Sequence, residues 1–126
     1  MLNSQEISVL GNILNTTYGK ASTMKSPTMS IKGKLSGDSL TLTYTTIIHL
    51  ASERNLRDQC RRFEEESVAL IKDYVKMIKK EFKTAAGRTL KCKEQDSNDS
   101  IEMITTSPYT PRKTAYYRRF TVLSCE

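Results

Sequence analysis

The sequence predicts an α+β fold: a mainly antiparallel β-sheet packed against one long α-helix, with a short helix at the N-terminus. Three observations carry that expectation. Two strictly alternating runs flank Gly37-Asp38, and apolar residues recur at steps of four and three across 53–86. The last third is strand-like again, rich in Thr, Tyr, Phe and Val. A chain of 126 residues and 14.3 kDa fits a single domain spanning 1–126. No internal repeat of ~20–50 residues is present.

The elements follow in order. Residues 4–16 read as a short helix, with Ser4 as N-cap and Ile7, Leu10, Ile13 and Leu14 on one face. Gly19 is expected to end it, leaving 19–27 as a polar arm. Residues 28–50 read as a β-hairpin whose two-residue loop is Gly37-Asp38, with glycine first. That loop sets Leu35 opposite Leu40, Gly33 opposite Leu42, Ile31 opposite Tyr44 and Met29 opposite Thr46, gathering the large apolar side chains on one face. Lys34 with Thr41, Lys32 with Thr43, and Ser30 with Thr45 take the other face. A one-residue slip would spoil both patterns.

Residues 53–86 read as one long helix, capped by Ser52 and ended by Gly87. Its narrow first seam is Leu56, Cys60, Phe63, Ser67, Leu70, Tyr74 and Met77. From Val68 a second stripe joins it, adding Ile71, Val75, Ile78 and Phe82. Such a helix is roughly 50 Å long, against ~17–20 Å for a typical strand. One end is therefore expected to project past the sheet. In 88–126 three strands are expected: Leu90 to Lys93, a polar turn at Gln95 to Ser100, Ile101 to Ile104, a Pro-containing loop at 107–113, and a last strand over 114–124.

Composition narrows the function. The hydrophobic share is 37%, below the usual ~45–50%, and 13 Ser with 15 Thr fill the gap. No apolar run approaches the ~20 residues of a membrane span. The start, Met1 to Glu6, lacks a basic segment followed by an apolar one, so a reducing, cytoplasmic setting is expected. Cys60, Cys92 and Cys125 are odd in number, widely spaced and in no CxxC pair. The sequons at Asn15 and Asn98 then read as chance matches.

Catalytic chemistry finds little support. The single histidine, His49, is a general-base candidate with no acid or nucleophile motif near it, so a half-buried strand residue is expected. One His and three scattered Cys make no zinc spacing. No phosphate-binding glycine motif occurs, and Gly33-Lys34 sits within a strand. Glu64, Glu65 and Glu66 fan around a helix rather than converge, with Arg61 and Arg62 near enough to pair with them. Cys60 reads as a small core residue and Cys125 as exposed. No enzyme activity, catalytic residue, metal or cofactor is expected.

Charge placement is more informative. The net charge is +6. Lys76, Lys79, Lys80, Lys83, Arg88, Lys91 and Lys93 cluster with one acid, Glu81; Arg112, Lys113, Arg118 and Arg119 cluster with none. Lys20, Lys25, Lys32 and Lys34 form a third basic stretch. Against them, Glu94, Asp96, Asp99 and Glu102 gather around the expected turn. Subunit docking follows: an acidic tip on one copy against Lys79, Lys80, Lys83, Arg88, Arg112, Lys113, Arg118 or Arg119 of the next, with ring-forming logic. The alternative is a basic nucleic-acid-binding module contacting its ligand through Lys32, Lys34, Tyr116, Arg118 and Phe120. Strand alternation sets Tyr116, Arg118 and Phe120 on one face and Tyr117 and Arg119 on the other.

Taken together, the short helix, Ser/Thr-rich hairpin, single long helix on a sheet, and extended loops resemble the small structural subunits of tailed-phage particles: neck, tail-completion, tail-terminator and baseplate proteins. The resemblance is architectural and covers most of the chain. It implies a non-enzymatic assembly subunit, located in a virion assembled in the host cytoplasm. Its partners would be copies of itself in a ring and other particle subunits, with nucleic acid less favoured and no membrane.

Overall fold

The computed structural model describes residues 1–23, 30–50, 54–104 and 113–126, with the backbone alone for 17–23. The expected Ser52 cap, the Met29–Thr46 pairing, Arg112 and most of the 107–113 loop lie outside the described residues. The elements are α1 (Ser4–Thr23), β1 (Ser30–Ser36), β2 (Ser39–Leu50), α2 (Leu56–Ala86), β3 (Cys92–Ile104) and β4 (Lys113–Cys125). The strands form one antiparallel sheet in the order β1-β2-β4-β3. The fold class is thus α+β. Since β4 is antiparallel to both neighbours, β2 and β3 run parallel, and α2 links them across it.

The hairpin has the register that its alternation dictates. Leu35 faces Leu40, Gly33 faces Leu42 and Ile31 faces Tyr44. Gly37 takes φ 60°, a value glycine adopts without a Cβ penalty. Along β2, residues Leu40, Leu42, Tyr44, Thr46, Ile48 and Leu50 are all buried, and their alternates are half-buried or exposed. β4 repeats this with Ala115, Tyr117, Thr121, Leu123 and Cys125. The sheet therefore buries one face only, which antiparallel sheets tolerate.

Both helices lie on that face. α2 contributes Cys60, Ser67, Leu70, Ile71, Tyr74, Ile78 and Phe82 to the interior, and Gly87 ends it with φ 76° and its N–H on the Lys83 carbonyl at 3.0 Å. Asn55, in the left-handed region, precedes its first turn. α1 packs against β1 and α2. Each fully buried side chain of the Leu, Ile or Phe class stabilises the fold by about 1.5–3 kcal/mol; Leu10, Ile31, Leu40, Leu42, Ile48, Ile78, Phe82 and Leu90 are all in that state. Asp38 in the hairpin turn holds both chain ends: its carboxylate accepts the Leu2 N–H at 3.1 Å and its carbonyl the Cys125 N–H at 2.8 Å.

Four expectations need correction. The cap of α1 is Asn3, not Ser4: the Asn3 side chain accepts the Glu6 N–H at 2.8 Å, and Glu6 accepts the Asn3 N–H at 3.1 Å. That is a reciprocal capping box. Gly19 does not end α1, which continues to Thr23; a helical glycine costs only about 1 kcal/mol relative to alanine. The 19–27 arm is therefore helical over its first five residues.

The third concerns 88–126, whose described residues hold two strands where three are expected. Gln95 to Ser100 is not a turn but the middle of a continuous 13-residue strand. β3 is an edge strand, exposed along most of its length, so polar residues cost little there, and β4 supplies a full-length ladder. The fourth is the overhang of α2. Its 31 residues span about 46 Å, but β2 and β4, with 12 and 13 residues, span about 40 Å. Long strands remove most of the excess.

The contact of α1 with β1 depends on Gly33. A Cβ there would lie 2.6 Å from Leu14 Cδ2 and 3.3 Å from Leu42 Cδ2. Gly33→Val is expected to lose about 1–3 kcal/mol through overpacking. Gly11→Ala, with nothing within 4 Å of the new Cβ, is expected to gain about 0.5–1 kcal/mol. Urea unfolding of the two variants checks both signs.

Candidate functional site

The bulge in β3 decides which acids are free to act outside the molecule. Glu94 pairs with Leu123, but Asp96 pairs with Val122, so one extra residue enters β3 between them. After this slip the odd residues Ser97, Asp99, Ile101 and Met103 oppose Thr121, Arg119, Tyr117 and Ala115, on the helix side of the sheet. Asp99 is drawn inward to a polar cluster. Its Oδ2 accepts from Tyr117 Oη at 2.8 Å, Arg57 Nη1 at 2.8 Å and Arg119 Nη2 at 3.2 Å.

Arg119 also donates to Ser67 Oγ at 2.8 Å and to Ser97 Oγ at 3.2 Å, and Arg57 pairs with Glu64 at 2.7 Å. Ser67 is fully buried and donates to the Glu64 carbonyl at 2.7 Å. The cluster joins α2 to β3 and β4. Burial opposes ionisation of Asp99, but the Tyr117 hydroxyl and the two guanidinium groups outweigh it and hold the carboxyl below its ordinary value. The group is structural: each member is used by another.

Other predicted charges are likewise held within the fold. Arg88 pairs with Glu6 and stacks over the Phe82 ring at 5.4 Å, tying the end of α2 to the start of α1. Glu102 pairs with Arg118 at 2.7 Å. Lys79 is half-buried on α2, and Lys80 and Lys83 are exposed there. Lys113 is exposed at the start of β4, opposite Leu50. The expected acidic tip is therefore an acidic edge: Glu94 and Asp96 are exposed on β3, while Asp99 is spent inside.

The strand order sets this edge against its opposite. β1, at the other border of the sheet, carries Lys32 and Lys34 and no acid. β3 carries Glu94, Asp96, Asp99 and Glu102 against the single Lys93.

A second surface is the uncovered face of the sheet. Register places Lys32, Thr43, Phe120 and Asn98 in one row across it, and Lys34, Thr41, Val122 and Asp96 in the next. Ser30, Thr45, Arg118 and Ser100 form another, with Ile47, Tyr116 and Glu102 beyond. The Arg118 guanidinium lies 5.0 Å from the centre of the Tyr116 ring. Lys32, Lys34, Thr41, Thr43 and Arg118 help to line a shallow concavity of about 460 Å³ on this face. The five residues expected on sequence grounds as a nucleic-acid contact, Lys32, Lys34, Tyr116, Arg118 and Phe120, thus share one surface. Tyr117 and Arg119 point to the helices, as alternation requires.

His49 is exposed rather than half-buried, opposite Thr114. Among the described residues, no group of three or more His, Cys, Asp or Glu side chains is placed to hold a metal ion. No described helix is long and apolar enough to cross a membrane. Cys60 is buried in the core, and burial raises its thiol pKa. Cys125 is buried too, against the expectation that it is exposed, because β4 continues to it and pairs with Cys92. Neither that pairing nor the Asp99 cluster is legible in the sequence, since each is a contact that only the pairing of β3 with β4 creates. Comparisons of the chain with protein-family models, with curated proteins and with solved structures find no match.

The cluster has a pH signature. A carboxyl whose folded-state pKa is depressed contributes in full above its unfolded value, here 3.8, and loses that contribution as pH falls through the folded value. Asp99→Asn is expected to cost about 2–3 kcal/mol at neutral pH. It is also expected to flatten the fall in the urea midpoint between about pH 5 and about pH 2.

Proposed function

We propose that this protein is a non-enzymatic assembly subunit, of the ring-forming kind that the phage-particle resemblance suggests, in which copies join head to tail through opposite edges of the sheet. The observation that carries the proposal is the placement of an acidic border strand, β3, and a lysine-bearing border strand, β1, at the two ends of one sheet. Edge strands have unpaired backbone groups that a second chain can use. Like charges make each edge repel its own copy, and opposite charges attract the two edges to each other. That selects a heterologous contact over a two-fold one, and heterologous contacts close into rings when the rotation permits. The acids that matter are Glu94 and Asp96, since Asp99 is engaged with Arg57 and Arg119.

Light scattering tests the proposal directly. The wild-type chain is expected to form a species several times the 14.3 kDa monomer mass at low salt, and to dissociate as salt rises. Glu94→Lys with Asp96→Lys is expected to give a monomer with an unchanged melting temperature. Adding Lys32→Glu and Lys34→Glu to that variant is expected to restore association. A wild type that stays monomeric at every salt and protein concentration rejects the proposal.

A second function has a specific observation in its favour: on the uncovered sheet face Lys32, Lys34 and Arg118 line one concavity, and register places Tyr116 and Phe120 on that same face. Cations and aromatic rings on one open sheet suit single-stranded nucleic acid, with phosphates on the lysines and bases on the rings. Fluorescence anisotropy with a labelled single strand reads this. Binding is expected to weaken linearly on a log–log salt plot, and Lys32→Ala with Lys34→Ala to lower the slope by about 1.4 for two phosphate contacts. A salt-independent signal, or none, excludes it.

A further inference from the structure

The outer end of the β3–β4 ladder brings two thiols face to face. Cys92 and Cys125 are direct register partners, and their Sγ atoms lie 3.1 Å apart. Both are free thiols in this structure. The adjoining residues, Lys91 and Glu126, exchange both backbone hydrogen bonds, at 2.9 and 2.8 Å. The next pair inward, Cys92 with Cys125, is therefore a non-hydrogen-bonded pair, and the Cys125 N–H points instead to the Asp38 carbonyl on the β2 side. Non-hydrogen-bonded partners bring their Cα atoms to about 4.5 Å, inside the range of about 4.4–6.8 Å that a disulfide spans. The backbone thus needs no rearrangement to accept the bond.

We propose that Cys92 and Cys125 are a redox modification site that closes into a cross-strand disulfide by exchange with a small-molecule disulfide of the glutathione type. The two cysteines divide the work by exposure. Cys92 is half-buried and reachable from solvent, whereas Cys125 is buried. The hydrogen bond from the Cys125 thiol holds the Cys92 thiol below its ordinary pKa against the effect of burial, and the Lys79 charge adds to it. The same bond, with burial, pushes Cys125 up.

The steps balance. The Cys92 thiolate attacks one sulfur of the oxidised reagent, forming a mixed disulfide and releasing one reagent thiolate. Cys125 then gives up its proton and attacks the Cys92 sulfur, closing the protein disulfide and releasing the second reagent thiol. Two protein thiols are oxidised, one small disulfide is reduced to two thiols, and two protons pass to the released thiolates. The bond would clamp the edge strand β3 to β4 beside the Asp38 turn that holds the C-terminus. It needs no partner subunit, so it stands apart from the assembly proposal.

Cys60 is an internal control: it lies 19 residues before Lys79 on α2, about 28 Å along the helix. The full-length folded chain, reduced and freed of reductant, is titrated with mixtures of oxidised and reduced glutathione. Peptide mass spectrometry is done without reduction, and melting is followed in parallel. A Cys92–Cys125 linked peptide within one chain, with Cys60 still alkylatable, is expected. A rise in melting temperature on the order of 10 °C should accompany it. Cys92→Ser abolishes the link and the rise; Cys60→Ser leaves both intact. A stable glutathione adduct on Cys92 without the internal link, a link that forms only in urea, or a disulfide that lowers the melting temperature would each overturn the proposal.

Discussion

A sheet that buries one face accepts a single phase of alternation in each strand, and every other feature here is arranged around that constraint. β2 meets it with unbroken alternation from Leu40 to Leu50, and β4 does so from Ala115 to Cys125 except at Arg119, which is half-buried on the inner face. β3 cannot meet it unaided. Without its bulge, the even residues Asp96, Asn98, Ser100 and Glu102 would follow Glu94 onto the helix side of the sheet, and Asp99 would face away from Arg119. The extra residue between Glu94 and Asp96 changes the phase, so that Ile101 is half-buried opposite Tyr117 and Asp99 meets Arg119. One inserted residue on an edge strand settles which carboxylate is structural and which are available at the border.

The same phase explains why so much charge is compatible with a modest core. Arg57, Asp99 and Arg119 are paired where α2 meets β3 and β4, and Arg88 with Glu6 performs that service where α1 meets the end of α2. These links join elements distant in sequence, a role that leucines cannot fill on a half-exposed border. Buried polar side chains are costly unless satisfied, and among the described residues no buried side-chain nitrogen or oxygen lacks a partner. What remains outside is the lysine edge, the acidic edge and the mixed basic-aromatic face. Each is a candidate contact surface because it lies at a border or on the uncovered face of the sheet.

Local chemistry made part of this legible. The Gly37-Asp38 loop specifies its register through alternation on both sides, and seven residue pairs follow from it. The α2 stripe from Cys60 to Phe82 marks the inward face of that helix: Cys60, Ser67, Leu70, Ile71, Tyr74, Ile78 and Phe82 are buried, Phe63, Val75 and Met77 half-buried, and Val68 is 38% exposed. The shared face of Tyr116, Arg118 and Phe120 follows from period two alone. The acidic cluster misled because Asp, Asn and Ser favour turns when nothing else acts on them. Along β3 a full-length neighbour acts on them, and the ladder with β4 outweighs the local preference. Asn3 as the cap, in place of Ser4, is a milder case: Glu6 lies three residues after Asn3 and completes the box, whereas the residue three after Ser4 is Ile7.

The α+β class, the hairpin register, the long amphipathic helix and its glycine stop are all legible along the chain, because each rests on interactions between nearby residues or on a strict period. That β4 lies between β2 and β3, that Lys32 and Lys34 join Arg118 on one face, that Asp99 is drawn inward and that Cys92 meets Cys125 emerge only from the assembled sheet. Those outcomes depend on which strands become neighbours. Neighbours in a sheet are chosen by the burial of a whole face, a quantity that no local window of residues contains.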